Sequence, residues 1–283
     1  ACGDSLSLYA EVLSFTGLAR RVAAETGAGD APLLDQGGRL LCMALALNQV
    51  APRLRLFGAA ARRAQMQQTL LGAVDELKTA CVTPDALEQT AARCPGYLGD
   101  KLHDLALVLA AYDAVTAQGH PTDRLTHLAE RIPESTLGHT GQFYLDGFTD
   151  YTRQELAVVR ALLTAGADVT VCLTLDALAD GNEIFGTARH TARVLLDMAD
   201  DCGVQTTVET CPARAANTPL RVLEQQLFSY TSAHFDDPAH TISVHTADDL
   251  TAECAWAAAR ALQLVQSGCR WRDIAIAARG FSD

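Results

Sequence analysis

The residues best placed to do chemistry in this 283-residue chain lie in one short run. Phe143-Tyr144-Leu145 reads as an apolar strand that ends on Asp146 and passes into Gly147-Phe148-Thr149-Asp150. A carboxylate at the carboxyl end of a parallel strand stands at the ligand-binding edge of the sheet and can hold Mg²⁺ against a nucleotide phosphate. Such an acid works with a glycine-rich loop ending in Lys-Ser or Lys-Thr, whose amides wrap the phosphate while the lysine neutralises it. Neither lysine supplies that loop: Lys78-Thr79 follows Glu76-Leu77 inside a predicted helix, and Lys101 is followed by Leu102. The sequence contains no P-loop, although one could precede Ala1. Read locally, an apolar strand ending in Asp-Gly is also a strand entering a turn.

Nine cysteines invite a test for a metal centre. None of the spacings Cys-x-x-Cys, His-x-x-Cys or His-Glu-x-x-His occurs, and the eight histidines are scattered, so no metal site is expected. The odd count, with Cys42, Cys172 and Cys254 among apolar neighbours, points to small, buried, reduced thiols in a cytoplasmic protein.

The formal net charge of −12 weighs against tight non-specific DNA binding by this segment alone, because such binding is dominated by phosphate neutralisation. The charge is uneven, however. Between Gln36 and Val74 lie Arg39, Arg53, Arg55, Arg62 and Arg63 and no acid; between Val222 and Ala259 lie Glu224, Asp236, Asp237, Asp248, Asp249 and Glu253 and no Lys or Arg. Such runs are also what solvated helix faces look like. A composition of 49% hydrophobic and 20% charged residues excludes a largely disordered chain. No apolar run reaches the roughly 18 residues that a bilayer span needs. The opening Ala1-Cys2-Gly3-Asp4 has neither initiator Met nor basic leader, and Asp283 follows a strand-like run, so the chain reads as a piece of a larger protein.

The elements that must position these residues change period midway. Ala10 to Phe15 reads as a short strand, followed by a helix over Gly17–Glu25 closed by the Gly27–Asp30 stretch. From Gly37 to Ile132 apolar residues recur at three- and four-residue steps (Leu70, Leu71, Val74, Leu77; Leu102, Leu105, Leu109, Tyr112), which predicts an almost wholly helical segment. Thr83-Pro84-Asp85 has the order of an N-cap and first-turn proline. Beyond it, strands are expected at 143–148, 168–174, 204–209, 241–245 and 273–278. Helices are expected from a Thr152–Glu155 capping box to Gly166, over 187–202 and 219–228, and from a Thr246–Asp249 cap to Gly268. Strands alternating with helices indicate a mostly parallel sheet covered on both faces.

Three segments, in order, carry a resemblance. Val12-Leu13-Ser14-Phe15-Thr16-Gly17-Leu18-Ala19-Arg20-Arg21 is similar to the strand-to-helix motif with which UvrD-like helicases touch DNA. Asp146-Gly147-Phe148-Thr149-Asp150 resembles the Asp-Glu-Phe-Gln-Asp-Thr motif of superfamily 1 helicases, with Gly147 where the catalytic glutamate belongs. Gly268-Cys-Arg-Trp271-Arg-Asp273-Ile-Ala-Ile-Ala, with Arg279 beyond it, looks like the start of a second motor domain. Together with Glu25-Thr-Gly27, Asp75-Glu-Leu77-Lys78, Lys101-Leu102-x-Asp104-Leu105 and Leu145-Asp-Gly-Phe148-Thr149, they make the chain resemble the AddB (RexB) subunit of the bacterial AddAB-type ATP-dependent helicase–nuclease.

The resemblance implies an α/β fold, a P-loop-helicase-like parallel sheet with a large all-helical insertion. Residues 1–30 and 138–235 would form a first helicase-like domain lacking its P-loop strand, 31–137 the insertion, and 236–283 the start of a second domain. It implies an ATPase-inactive, DNA-handling region acting in double-strand break repair by homologous recombination. The DNA contacts would be Phe15, Thr16, Arg20 and Arg21, with Arg62 and Arg63 on the insertion, while Asp146 and Gly147 would be a degenerate Walker B motif and no residue catalytic. An aromatic at position 15 also suits a core. The implied partners are a motor/nuclease A subunit in a heterodimer, DNA ends and single-stranded DNA, in the cytoplasm and with no membrane. The iron–sulfur cluster and Mg²⁺ of the parent protein would lie elsewhere. Two other readings remain open: an active superfamily 1 ATPase whose P-loop lies outside this sequence, and a structural module that docks the motor subunit, which the acidic charge favours.

Overall fold

The structure, a computed structural model, describes residues 10–27, 34–116, 123–211, 218–228, 234–237, 239–278 and 280. It divides into two compact units, Ala1–Glu209 and Thr210–Asp283.

In the first unit, α1 (Phe15–Glu25) begins where Ser14 accepts the Gly17 N–H at 3.2 Å. This corrects the expected strand over 10–15: residues 10–14 join no strand among the described residues, and Phe15 is already helical. The β-branched and aromatic character of Val12 and Phe15 suggested a strand, but a serine cap decides the local conformation.

Four helices follow: α2 (Gln36–Val50), α3 (Ala64–Thr79), α4 (Pro84–Arg93) and α5 (Tyr97–Thr116). Asp35 caps α2 through Gly38, and Thr83 caps α4 with Pro84 in its first turn, as expected. The helical spacing places Met43, Leu47, Leu70, Leu71, Val74, Leu109 and Tyr112 in one core, with Leu77, Leu102 and Leu105 at its margin. Charged pins cross this layer. Arg39 pairs with Asp75, and the Lys78 ammonium bridges Asp113 at 2.6 Å and Asp123 at 2.8 Å. Asp104 of α5 is fully buried, and its carboxylate accepts the consecutive amides of Arg55, Leu56 and Phe57 at 2.7, 2.8 and 2.9 Å.

The remainder of this unit is α6 (Asp123–Arg131), α7 (Thr136–Thr140), β1 (Gln142–Leu145), α8 (Arg153–Ala165), β2 (Asp168–Val171) and α9 (Gly186–Asp201). The strands pair parallel, Gln142 opposite Asp168 through Leu145 opposite Val171, so β1, α8 and β2 form one β–α–β crossover. Both features of the Thr152–Glu155 capping box are present, and Gly166 ends α8. Val22, Leu128, Ile132, Val158 and Leu162 form a second core shared by α1, α6 and α8. Within each strand, half-buried and exposed residues alternate, and Tyr144 is 69% exposed. The expected sheet covered on both faces is therefore, among the described residues, a two-stranded α/β pair with one face open.

The strand expected over 204–209 is unpaired and largely exposed. In the second unit, the strands expected over 241–245 and 273–278 are likewise unassigned, the latter opening in a 3-10 turn over Trp271–Asp273. Apolar alternation makes a strand only where a neighbour completes its hydrogen bonds, and only β1 and β2 find one among the described residues. This unit holds α10 (Thr218–Gln226) and α11 (Leu250–Gln266). Asp249 alone caps α11, accepting from Ala252 at 2.7 Å, in place of the longer cap expected from Thr246. The His245 ring stacks on Trp256 at 4.3 Å, and Arg270 forks onto Asp273. Arg279 lies outside the described residues. No helix among the described residues is long and apolar enough to cross a membrane.

Candidate functional site

The parallel register brings the ends of β1 and β2 level. Cys172 donates its amide to the Leu145 carbonyl at 2.9 Å, so Asp146 leaves the sheet at its carboxyl edge. Asp146 is exposed, and its Oδ1 accepts the adjacent Gly147 N–H at 2.9 Å. Gly147 has φ +82°, and nothing stands within 4 Å of where a Cβ would sit. Space for a side chain exists; the left-handed backbone is what favours glycine.

The loop after Gly147 is anchored twice. Buried Thr191 of α9 donates its hydroxyl to the Thr149 carbonyl at 2.9 Å. Phe148 and Tyr151 stack at 5.0 Å, and both meet Phe15 edge-on, at 5.6 and 6.4 Å. Edge and offset contacts of this kind add to the burial of the rings themselves. The Tyr151 hydroxyl oxygen is buried without a hydrogen-bond partner among the described residues. Burial, then the charges of Glu155, Cys172 and Asp146, push its pKa up to about 12, so it stays a neutral phenol. The loop after β2 is folded round half-charged, half-backbone contacts: Arg189 reaches Asp176 at 2.8 Å and the Asn182 carbonyl at 2.6 Å. The Asn182 amide is the main cause holding the Asp176 carboxyl below its ordinary range.

Helix α1 is held at both ends, at this edge by Phe15 and at the other end of β1 by Glu25. Phe15, half-buried, joins the loop rings, and Glu25 accepts the Thr136 N–H of α7 at 2.6 Å; the Thr136 side chain first, and this amide second, draw the Glu25 carboxyl below its usual range. Between these anchors Thr16 and Arg20 are exposed, and Arg21 faces Glu11 at 3.5 Å. Thr16 shares a 2.9 Å hydrogen bond with Ser14. The structure thus brings Phe15, and with it the turn bearing Thr16, Arg20 and Arg21, to the loop that starts at Asp146 and Gly147. Arg62 and Arg63 are exposed just before α3, on the elements of the other core. Sequence reasoning missed Tyr151 and Thr191 as parts of the site. The only signal for them was an aromatic pair, Phe148 and Tyr151, in a loop before a capping box.

Among the described residues no three His, Cys, Asp or Glu side chains gather closely enough to hold a metal. The described cysteines are free; Cys42 is half-buried, whereas Cys172 and Cys254 are exposed, contrary to the burial expected from their apolar sequence neighbours.

A β–α–β crossover with an acid-bearing loop at its strand end, together with an all-helical segment that has its own core, defines a mostly helical α/β protein. Residues 2–224 match the family model described as ADDB, N-terminal, and the chain belongs to that family. It is 37% identical over 297 residues to the B subunit of the ATP-dependent helicase/deoxyribonuclease of Desulforudis audaxviator, covering 99% of this chain and 26% of that protein. The corresponding proteins from Heliobacterium modesticaldum and Geobacillus thermodenitrificans, which carry the same name, are 33% and 32% identical, covering 96% and 98% of this chain and 24% and 25% of theirs. The chain spans about a quarter of the length of these curated relatives.

Proposed function

We propose that this chain is the helicase-like, DNA-handling region of the B subunit of a bacterial ATP-dependent helicase/deoxyribonuclease, acting in the cytoplasm in double-strand break repair by homologous recombination. Its partners are a motor/nuclease A subunit, in a heterodimer, and DNA ends with their single strands. Family membership and the names of the relatives support the assignment. The observation that carries the DNA-handling role is the joining of α1 to the strand-end loop through Phe15, Phe148 and Tyr151, beside exposed Thr16, Arg20 and Arg21. Rings beside guanidinium groups suit a single strand, whose bases stack and whose phosphates need cations. Arg62 and Arg63 extend the cationic contacts onto the helical segment.

This region handles the strand without hydrolysing nucleotide. Gly147 offers no carboxylate to orient water, and its left-handed backbone disfavours one. The parallel pair with its strand-end acid supports a helicase-like sheet, with 1–30 and 138–235 as a first domain, 31–137 as the insertion and 236–283 as the start of a second domain. The iron–sulfur cluster and Mg²⁺ belong to other parts of the parent protein.

The test is charge reversal of Arg20 and Arg21 to Glu in the full-length protein assembled with its partner, with single-strand affinity measured across salt concentrations. Weaker binding with a shallower salt dependence is expected. Unchanged DNA binding with weakened assembly would instead make the region a docking module. Replacing Asp146 by Ala is expected to leave nucleotide turnover by the complex unchanged; a collapse of turnover would favour the ATPase alternative.

A further inference from the structure

The connection from α2 to α3 is built more firmly than a connector needs. It runs through 3-10 turns over Ala51–Arg53 and Gly58–Ala60, which pack on each other. Gly58 approaches so closely that a Cβ there would lie 3.0 Å from the Ala51 carbonyl oxygen. Leu54 and Phe57 anchor the loop on the helical core, and Ala61 is buried within it. Between those anchors the amides of Arg55, Leu56 and Phe57 converge on one point, where the buried Asp104 carboxylate receives all three. Three charge-assisted bonds offset the cost of desolvating that carboxylate and fix three consecutive residues.

What this frame holds out to solvent is positive charge. Of the five arginines between Gln36 and Val74, Arg39 pairs with Asp75 and Arg55 with Asp100. Arg53, Arg62 and Arg63 are exposed, and none has an ion-pair partner among the described residues. In a chain of net charge −12, this acid-free connection carries three exposed guanidinium groups that no carboxylate among the described residues neutralises. Guanidinium forks match phosphate oxygens, and a preformed loop loses little entropy when it binds.

We infer that the segment from Ala51 to Arg63 is a preformed cradle for the sugar–phosphate backbone of a nucleic-acid strand, with Asp104 as its positioning residue. Arg53, Arg62 and Arg63 contact phosphates, and Arg55 stays on Asp100. The contact reads no base, so it holds the strand at a second point without regard to sequence. This inference rests on the DNA-handling reading proposed above and adds to it a place, a contact chemistry and a residue that sets the geometry.

The experiment measures binding of a single-stranded oligonucleotide to the full-length protein over a range of salt concentrations. Three variants are compared with wild type: the triple Arg53→Ala, Arg62→Ala, Arg63→Ala; Asp104→Asn; and the Arg20→Glu, Arg21→Glu pair. The triple variant alters only exposed side chains, so it keeps the fold. Losing three phosphate contacts is expected to make the slope of log affinity against log salt shallower by about 2, at about 0.7 per contact on a single strand. Asp104→Asn is expected to lower the slope while every arginine is present and to speed hydrogen exchange at residues 55–57. A purely structural Asp104 would lower the melting temperature and leave the slope of the folded protein at its wild-type value, which would overturn its positioning role. If the triple variant keeps the wild-type slope while the Arg20, Arg21 pair loses affinity, the cradle is overturned and the DNA-handling reading stands. The same holds if the triple variant instead loses an acidic protein partner. If the wild-type protein does not bind the strand, both fall.

Discussion

Asp104 and Asp146 lie in the same compact unit and meet opposite fates. Asp104, on a helix, is fully buried and collects three amides from a loop 47 to 49 residues away. Asp146, at a strand end, is exposed and holds only the amide next to it. By type and spacing Asp146 is the one that suggests chemistry, yet Asp104 is the one whose carboxylate organises its surroundings. The helical segment spends its buried charge on internal pins: Asp104, Arg39 with Asp75, and Lys78 with Asp113 and Asp123. The strand-end loop leaves its carboxylate, Asp146, exposed and is held by rings and one hydroxyl. A region pinned from within can present a rigid surface; a region with an open edge can receive a ligand.

The largest effect that could break this contrast is on stability. Replacing Asp104 by Ala strands three amides and is expected to cost about 3 kcal/mol or more. Replacing Asp146 by Ala is expected to stay within about 0.5 kcal/mol. Urea unfolding of both variants measures the difference, and equal losses would erase the distinction between the two acids. Next in size is Thr191→Val, which keeps the shape but removes the donor to Thr149. A loss of about 1 kcal/mol is expected, together with faster amide exchange over residues 147–151; unaltered exchange would mean the rings alone hold the loop.

The smallest effect sharpens the role of α1. Thr136, through its side chain first and its N–H second, lowers the Glu25 carboxyl below its ordinary value of 4.5. A depressed carboxylate stabilises the fold fully above that ordinary value and loses the contribution as pH falls through the lower folded value. The stability gap between wild type and Glu25→Gln should therefore be constant at neutral pH and close below about pH 4.5. A gap that persists in acid would assign the contact to packing.

What the sequence made legible follows from how local each signal is. Helices were readable because period and caps are local: Thr83 with Pro84, Thr152 with Glu155, Gly166 and Asp249 all stand at the ends they mark. Ser14 has the same chemistry but was hidden inside a run, Val12 to Phe15, that looks like a strand. The strands expected at 204–209, 241–245 and 273–278 needed partners that no local pattern specifies. At the candidate site, Gly147 was readable because a turn glycine announces itself. The meeting of Phe15 with Phe148 and Tyr151 was not, since it joins residues far apart in sequence. Asp104 gave no warning of its burial, because a polar residue on an apolar helix shows its purpose only when the loop it receives is in view.

The strand-end edge, with α1 beside it, is proposed to handle a DNA strand. Photo-crosslinking of a single-stranded oligonucleotide to the full-length protein with its partner, followed by peptide mapping, tests it most directly. Crosslinks concentrated at residues 15–21 and 146–151 are expected. Crosslinks absent from both stretches, with those same peptides protected by the partner, would contradict it.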